Sequence, residues 1–203
     1  HFLKLIGANI NTVPVLDLRV KGSSNGIGDR SFSSNVNTVS KMGDLCIKLF
    51  KNNSIGTIIK HIPGHGLAKV DSHNYTPVVN KSIKYLKKYD FSTFKKKDSL
   101  FAMTGHVIYK SLDKINTATH SSTVIHFIRN NIGFKNIIIS DDLSMKSLKN
   151  QMKQNTIKTF ESGCNIALHC NGNINEMKIV AENSPLISSF ILKKTSQFYK
   201  ILS

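Results

Sequence analysis

Short apolar runs rich in isoleucine and valine recur along the chain, each closing on polar or glycine residues and each followed by a longer stretch with helical spacing. Five of them predict strands: residues 10–17 (INTVPVLD), 56–60 (GTIIK), 100–104 (LFAMT), 136–140 (NIIIS) and 165–169 (NIALH). Helix candidates at 34–51, 81–97, 121–131, 144–162 and 175–183 separate and follow them, and a last one near 186–202 opens after Pro185. Strand then helix, repeated, builds a parallel sheet with helices packed outside it, and right-handed crossovers set the strands in consecutive order.

The polar residues gather at the carboxyl ends of these strands: Asp17, Lys60 with His61, His106, Asp141 with Asp142, and His169 to Asn171. An open sheet draws its crevice mainly from one switch point, whereas a barrel brings every strand end to one mouth. The pattern therefore favours α/β architecture of the (β/α)8 TIM-barrel kind. Such a barrel typically takes roughly 250 residues and eight strands. Five strand signals in 203 residues predict an incomplete barrel with the amino-terminal strands missing, and residues 1–203 are expected to form one catalytic domain. The opening HFLKLIGANI has no initiator methionine, basic n-region or cleavage site, so it reads as neither a signal peptide nor a natural start, and a fragment is expected.

Composition narrows the class. Apolar residues make up 40% of the chain and no apolar run reaches roughly 18 residues, which predicts a soluble protein without a membrane partner. Cys46, Cys164 and Cys170 are odd in number and lack C-x-x-C spacing, so a reducing, cytoplasmic setting is expected. The net charge of +16 raises nucleic acid as a partner. Yet among the basic residues only Arg19, Arg30 and Arg129 carry the planar fork on which bidentate recognition depends, and the scattered lysines read as a solvated surface. No specific nucleic acid is expected, and the chain is read as a monomer.

The densest chemistry lies in KHIPGHGLAKVDSH, residues 60–73. His61 and His65 have the spacing of a helical metal pair, but Pro63 and Gly64 between them break a helix. In Asp71-Ser72-His73 an extended backbone points residues two apart the same way, so the carboxylate can hold the imidazole tautomer and make a proton donor and acceptor near neutral pH. The run GFKNIIISDDLSM puts two of only 12 acidic residues directly after a buried strand. Asp142 is expected to cap the following helix, while Asp141, nearest the strand end, points into the mouth as a potential nucleophile. His65 reads as a loop residue tying backbone carbonyls together. His106, Asp17 and Asn171 either line the mouth or merely finish strands, and Met145 is read as core.

In register, KHIPGHG, VDSH, MTGHVIY and GFKNIIISDDLSM closely resemble the bacterial β-N-acetylglucosaminidases, or β-hexosaminidases, of glycoside hydrolase family 3 that serve peptidoglycan recycling. The likeness extends upstream through PVLDL and IGDRSF and downstream through ESGCNIALHCNGNINEM. The resemblance implies a cofactor-free, cytoplasmic, retaining exo-glycosidase that removes terminal β-linked N-acetylglucosamine from muropeptides. It implies Asp141 as nucleophile, His73 as acid/base with Asp71 behind it, and Lys60, His61 and Arg30 as sugar-binding residues. Two features depart from the pattern. A D-x-E-G-G-R-x-x-R stretch that holds the sugar ring in the family is absent, and Thr117 replaces a proline in TATHS. Two other classes remain open on the residues: a basic polyanion-binding module, and a metal-dependent hydrolase using His61, His65 and Asp71.

Overall fold

The computed structural model describes residues 2–202. In chain order the elements are α1 (Phe2–Leu5), β1 (Ile10–Asn11), α2 (Val36–Asn52), β2 (Gly56–Ile62), β3 (Val78–Val79), α3 (Ile83–Lys88), β4 (Phe101–Thr104), β5 (Ile108–Tyr109), α4 (Ser122–Phe127), β6 (Ile137–Asp142), α5 (Met152–Glu161), β7 (Ile166–Leu168), α6 (Ile174–Glu182) and α7 (Ser189–Leu202). The main sheet has five parallel strands in the order β1-β2-β4-β6-β7, and each coincides with one of the five predicted runs. Not anticipated is the small parallel pair β3-β5 beside it.

Period-two alternation gives the sheet two working faces. Ile59, Ala102 and Ile138 face outward into a core shared with Val39 and Ile47 of α2 and with Val124 and Ile125 of α4. Asn35, Ser82, Ser121 and Asn173 fix the starts of α2, α3, α4 and α6, each accepting a hydrogen bond from an amide of the first turn. On the inner face Ile58, Phe101, Met103, Ile137 and Ile139 pack around Phe198 of α7. The helix expected near 186–202 thus lies on the inner face, not among the outer helices. Its seat is cut for an aromatic ring: a Cβ on Gly56 would come 2.5 Å from Phe198, whose ring also meets Phe101 edge-on at 5.4 Å. Inner-face parity carries Lys60 and Asp141 to the carboxyl end above this apolar layer.

Other departures have local causes. Pro14 supplies no N–H, so the predicted 10–17 strand pairs regularly only at Ile10–Asn11. It regains the ladder through Leu16 N–H to Lys60 O at 2.7 Å, which brings Asp17 beside His61. The 81–97 candidate splits into α3 and a single 3-10 turn at Ser92–Phe94. Lys97, in a run read as solvated, is a buried side chain donating to Ser40 and Asp44. The 144–162 candidate becomes α5, eight residues shorter at its start. Residues just after β6 are tied instead to the His73 loop, by Lys146 N–H to His73 O at 3.3 Å and Thr76 Oγ1–H to Ser147 O at 2.7 Å.

Candidate active site

Gly26, Ile27, Arg30, Lys60, His61, His65, Asp71, Ser72, His73 and Asp141 line one cavity of about 160 Å³ at the carboxyl ends of β2 and β6. Asp141, His73, Asp71, Lys60, His61 and Arg30, the residues the family resemblance implies, are all among them, although 68 positions separate His73 from Asp141 in the numbering. A larger cleft of about 420 Å³ follows the loop from Leu18 to Ser34, but its lining sets no carboxylate beside a histidine.

Asp17 organises the floor. It is fully buried and accepts from His61 N–H at 3.1 Å, His65 N–H at 2.7 Å and His61 Nδ1–H at 2.7 Å. Burial opposes its charge, but His61 and the His65 amide outweigh that, holding its carboxyl below the usual range. With Nδ1 occupied, His61 turns Nε2 toward Asp141 Oδ2, 3.9 Å away. The ring of His61 also lies 5.4 Å from that of His65. Sequence patterning left Asp17 either lining the mouth or finishing a strand, without its bond to His61.

Asp141 is the penultimate residue of β6, on its inner face, with 17% of its side chain exposed. Burial raises its pKa, yet His61, His106 and the Asp142 amide, which donates to Oδ1 at 2.9 Å, bring it below the ordinary carboxylate value. The group is an anion at neutral pH. His106 lies beneath, fully buried; its Nε2–H donates to the Asp142 carbonyl at 3.0 Å, which leaves Nδ1 to accept from Thr119 at 2.7 Å. It finishes a strand and braces the next, and it does not line the cavity.

Asp71 and His73 form the expected pair: His73 Nδ1–H donates to Asp71 Oδ1 at 2.8 Å and His73 N–H to the same oxygen at 3.0 Å. The amide bond is the foremost cause that lowers the Asp71 carboxyl. Nδ1 is thereby engaged and Nε2 is the atom free to exchange a proton. Gly26 lies against this carboxylate, where a Cβ would come 3.2 Å from Oδ1. Arg30 is held in the same loop by a bond to the Gly26 carbonyl. Lys60, half-buried, has its pKa lowered by desolvation and by Arg30, against the pull of Asp141 and Asp17.

Some expectations need correction. The contacts of His65 are chiefly with side chains: its amide binds Asp17 and its Nε2 meets Ser72 Oγ at 3.2 Å. Asp142 caps no helix, but accepts from Ser144 N–H, Ser144 Oγ–H and Cys170 N–H. Asn171 is exposed and donates to Glu176 at 2.7 Å, away from the cavity. Among the described residues no three His, Cys, Asp or Glu side chains group so that they could hold a metal ion, the proposed His61, His65 and Asp71 set included.

His65 also sets a pH dependence. Burial first, then the nearby His61, lower its pKa to about 4, and burial does the same for His120. An unfolded histidine titrates near 6.5, so between that pH and about 4 the unfolded chain binds more protons and stability falls with pH. Each group is expected to cost about 2 kcal/mol at pH 5 relative to pH 7.5. Asp17 and Asp141 act in the same direction but only below about pH 4. Urea midpoints should drop over that interval and His65→Gln should flatten the drop; equal midpoints at both pH values for the unaltered chain would refute the assignment.

Comparison with known proteins gives the family. The glycosyl hydrolase family 3 N-terminal domain matches residues 3–195. A β-hexosaminidase of Neisseria meningitidis serogroup C is 32% identical over 174 residues, 83% of this chain and 48% of that protein. One of Nitrosomonas eutropha is 30% identical over 174 residues, covering 83% and 50%. The crystal structure of native NagZ from Neisseria gonorrhoeae superposes with a TM-score of 0.85 at 29% identity, over 97% of this chain and 57% of that one. The chain spans about half the length of the relatives it matches. Its curled parallel sheet is the α/β half-barrel seen within that fold. With residues 3–195 matched, the chain belongs to the glycosyl hydrolase family 3 N-terminal domain family.

Proposed function

We propose that this chain carries the reacting groups of a retaining exo-β-N-acetylhexosaminidase, on five strands of a (β/α)8 barrel. The observation that supports it is the convergence of Asp141, the Asp71-His73 pair, Lys60, His61 and Arg30 on one small cavity. Asp141 attacks the anomeric carbon as an anion while protonated His73 gives its Nε2 proton to the departing glycosidic oxygen. The C–O bond to the leaving group breaks as the bond to Asp141 forms. His73, now neutral, then takes a proton from the water that displaces Asp141, and two inversions restore the β configuration. An imidazole takes the place of the second carboxyl group usual in retaining enzymes, where the two carboxyls lie roughly 5 Å apart.

Lys60 and Arg30 donate to the sugar hydroxyls and His61 presents Nε2 to them, with Asp17 fixing His61 for that duty. Family likeness points to muropeptides with a terminal β-linked N-acetylglucosamine as substrate. Three free thiols fit the reducing cytoplasm as its place of action. Among the described residues no helix is long and apolar enough to cross a membrane. Proton NMR of the first sugar released from an aryl β-N-acetylglucosaminide tests the reading: the β anomer should appear first, and initial release of the α anomer would exclude it.

A further inference from the structure

The turn at residues 63–67 carries two glycines, and Asp90 lies against both. A Cβ on Gly64 would lie 2.7 Å from the carbonyl oxygen of Asp90 and 2.8 Å from its Cγ. On Gly66 it would lie 2.9 Å from Asp90 Oδ1 and closer still to the carbonyl of Leu18. The Asp90 carboxyl is therefore pressed against the underside of the turn, where the hydroxyl of Tyr109 also donates to the Gly64 carbonyl. Asp90 is fully buried, and its two oxygens lack a hydrogen-bond partner in ordinary geometry among the described residues, although the amides of Gly66 and Leu67 are directed at it. Desolvation, reinforced by the negative charge of Asp17, pushes this carboxyl well above its usual range. A buried acid without a full set of partners is costly to keep, and packing alone does not account for one here.

The same turn bears functional atoms. His65 N–H reaches Asp17 there, and the backbone leading into the turn supplies His61 N–H and Nδ1–H to the same carboxylate. We propose that Asp90, seconded by Tyr109, is a positioning residue for the active cavity: it holds the turn from beneath so that His61 and His65 meet Asp17 and the His61 ring is aimed at Asp141. The functional consequence rests on the glycosidase reading; the positioning itself does not.

The test uses the chain with 15N-labelled histidine, in which the His61 Nδ1–H bonded to Asp17 gives a resonance assigned through His61→Gln. Asp90→Asn keeps the shape and the polar anchor, so it should retain that resonance and hold kcat/KM on an aryl β-N-acetylglucosaminide within about threefold. Asp90→Leu should broaden or shift the resonance and lower kcat/KM by at least about tenfold, since small misplacements of a positioned group have large kinetic effects. Phe94→Leu, a core change, should lower stability and move neither readout. A folded Asp90→Leu with an unaltered His61 resonance overturns the proposal. So does an Asp90→Asn that loses the resonance as fully as Asp90→Leu. Should Asp90→Leu not fold, Tyr109→Phe decides: a shifted His61 signal supports the anchor and an unshifted one rejects it. A chain with no hydrolysis at all refutes the glycosidase reading while leaving the resonance test intact.

Discussion

Asp141→Ala is expected to lower hydrolysis of an aryl β-N-acetylglucosaminide by roughly 10⁴-fold or more, because the other carboxylate lining the cavity, Asp71, is engaged by His73. The expectation follows from placement and charge together. Asp141 stands on the inner face at the end of β6, lines the cavity, and is kept ionised by His61, His106 and the Asp142 amide against the effect of burial. The neighbouring carboxylates have other duties: Asp17 is bound to His61 and His65, Asp71 to His73, and Asp142 to Ser144 and Cys170. A fluorinated aminosugar that forms a slowly hydrolysed glycosyl-enzyme should add its mass to the unaltered chain and leave Asp141→Ala unlabelled. Undiminished labelling of the variant would move the nucleophile elsewhere.

How far the site could be read in advance depended on whether its cause was local. Strand-end placement is a local property: alternation fixes the face, and polar residues at the end of an apolar run mark the mouth, as Lys60, His61 and Asp141 do. The Asp71-His73 pair was equally legible, since its two members lie two residues apart on an extended backbone. Asp17 was not, because its meaning comes from a hydrogen bond to a histidine 44 positions away. Asp90 was missed for the same reason: only the folded turn reveals why Gly64 and Gly66 lack side chains. The role of Asp142 was misread because helix propensity downstream suggested a cap, whereas contacts with the His73 loop hold that segment out of a helix. Strand order followed from chirality rules that leave little choice, but α7 on the inner face did not, since its apolar stripe would serve equally well against either side of the sheet.

The sharpest test of the acid/base assignment is a difference between substrates. A general acid matters in proportion to how poorly the leaving group departs unaided, and proton transfer of this kind contributes about 10² to 10⁴-fold. His73→Ala is therefore expected to lose roughly 10³-fold on a disaccharide with an alkyl-type leaving oxygen, but less than about tenfold in glycosyl-enzyme formation from a dinitrophenyl glycoside. Hydrolysis of the glycosyl-enzyme also needs His73, as a base, so the variant should show a burst of phenol followed by slow turnover on the activated substrate. Added azide, a nucleophile that needs no base, should restore that turnover as a β-glycosyl azide. Asp71→Asn keeps the shape but weakens the hold on His73 Nδ1–H, and should fall between the unaltered chain and His73→Ala on the disaccharide. Equal losses of His73→Ala on both substrates, without azide rescue, would mean that this imidazole only shapes the cavity. The proton would then have to come from another lining group, and among those His61 is already committed to Asp17 through Nδ1.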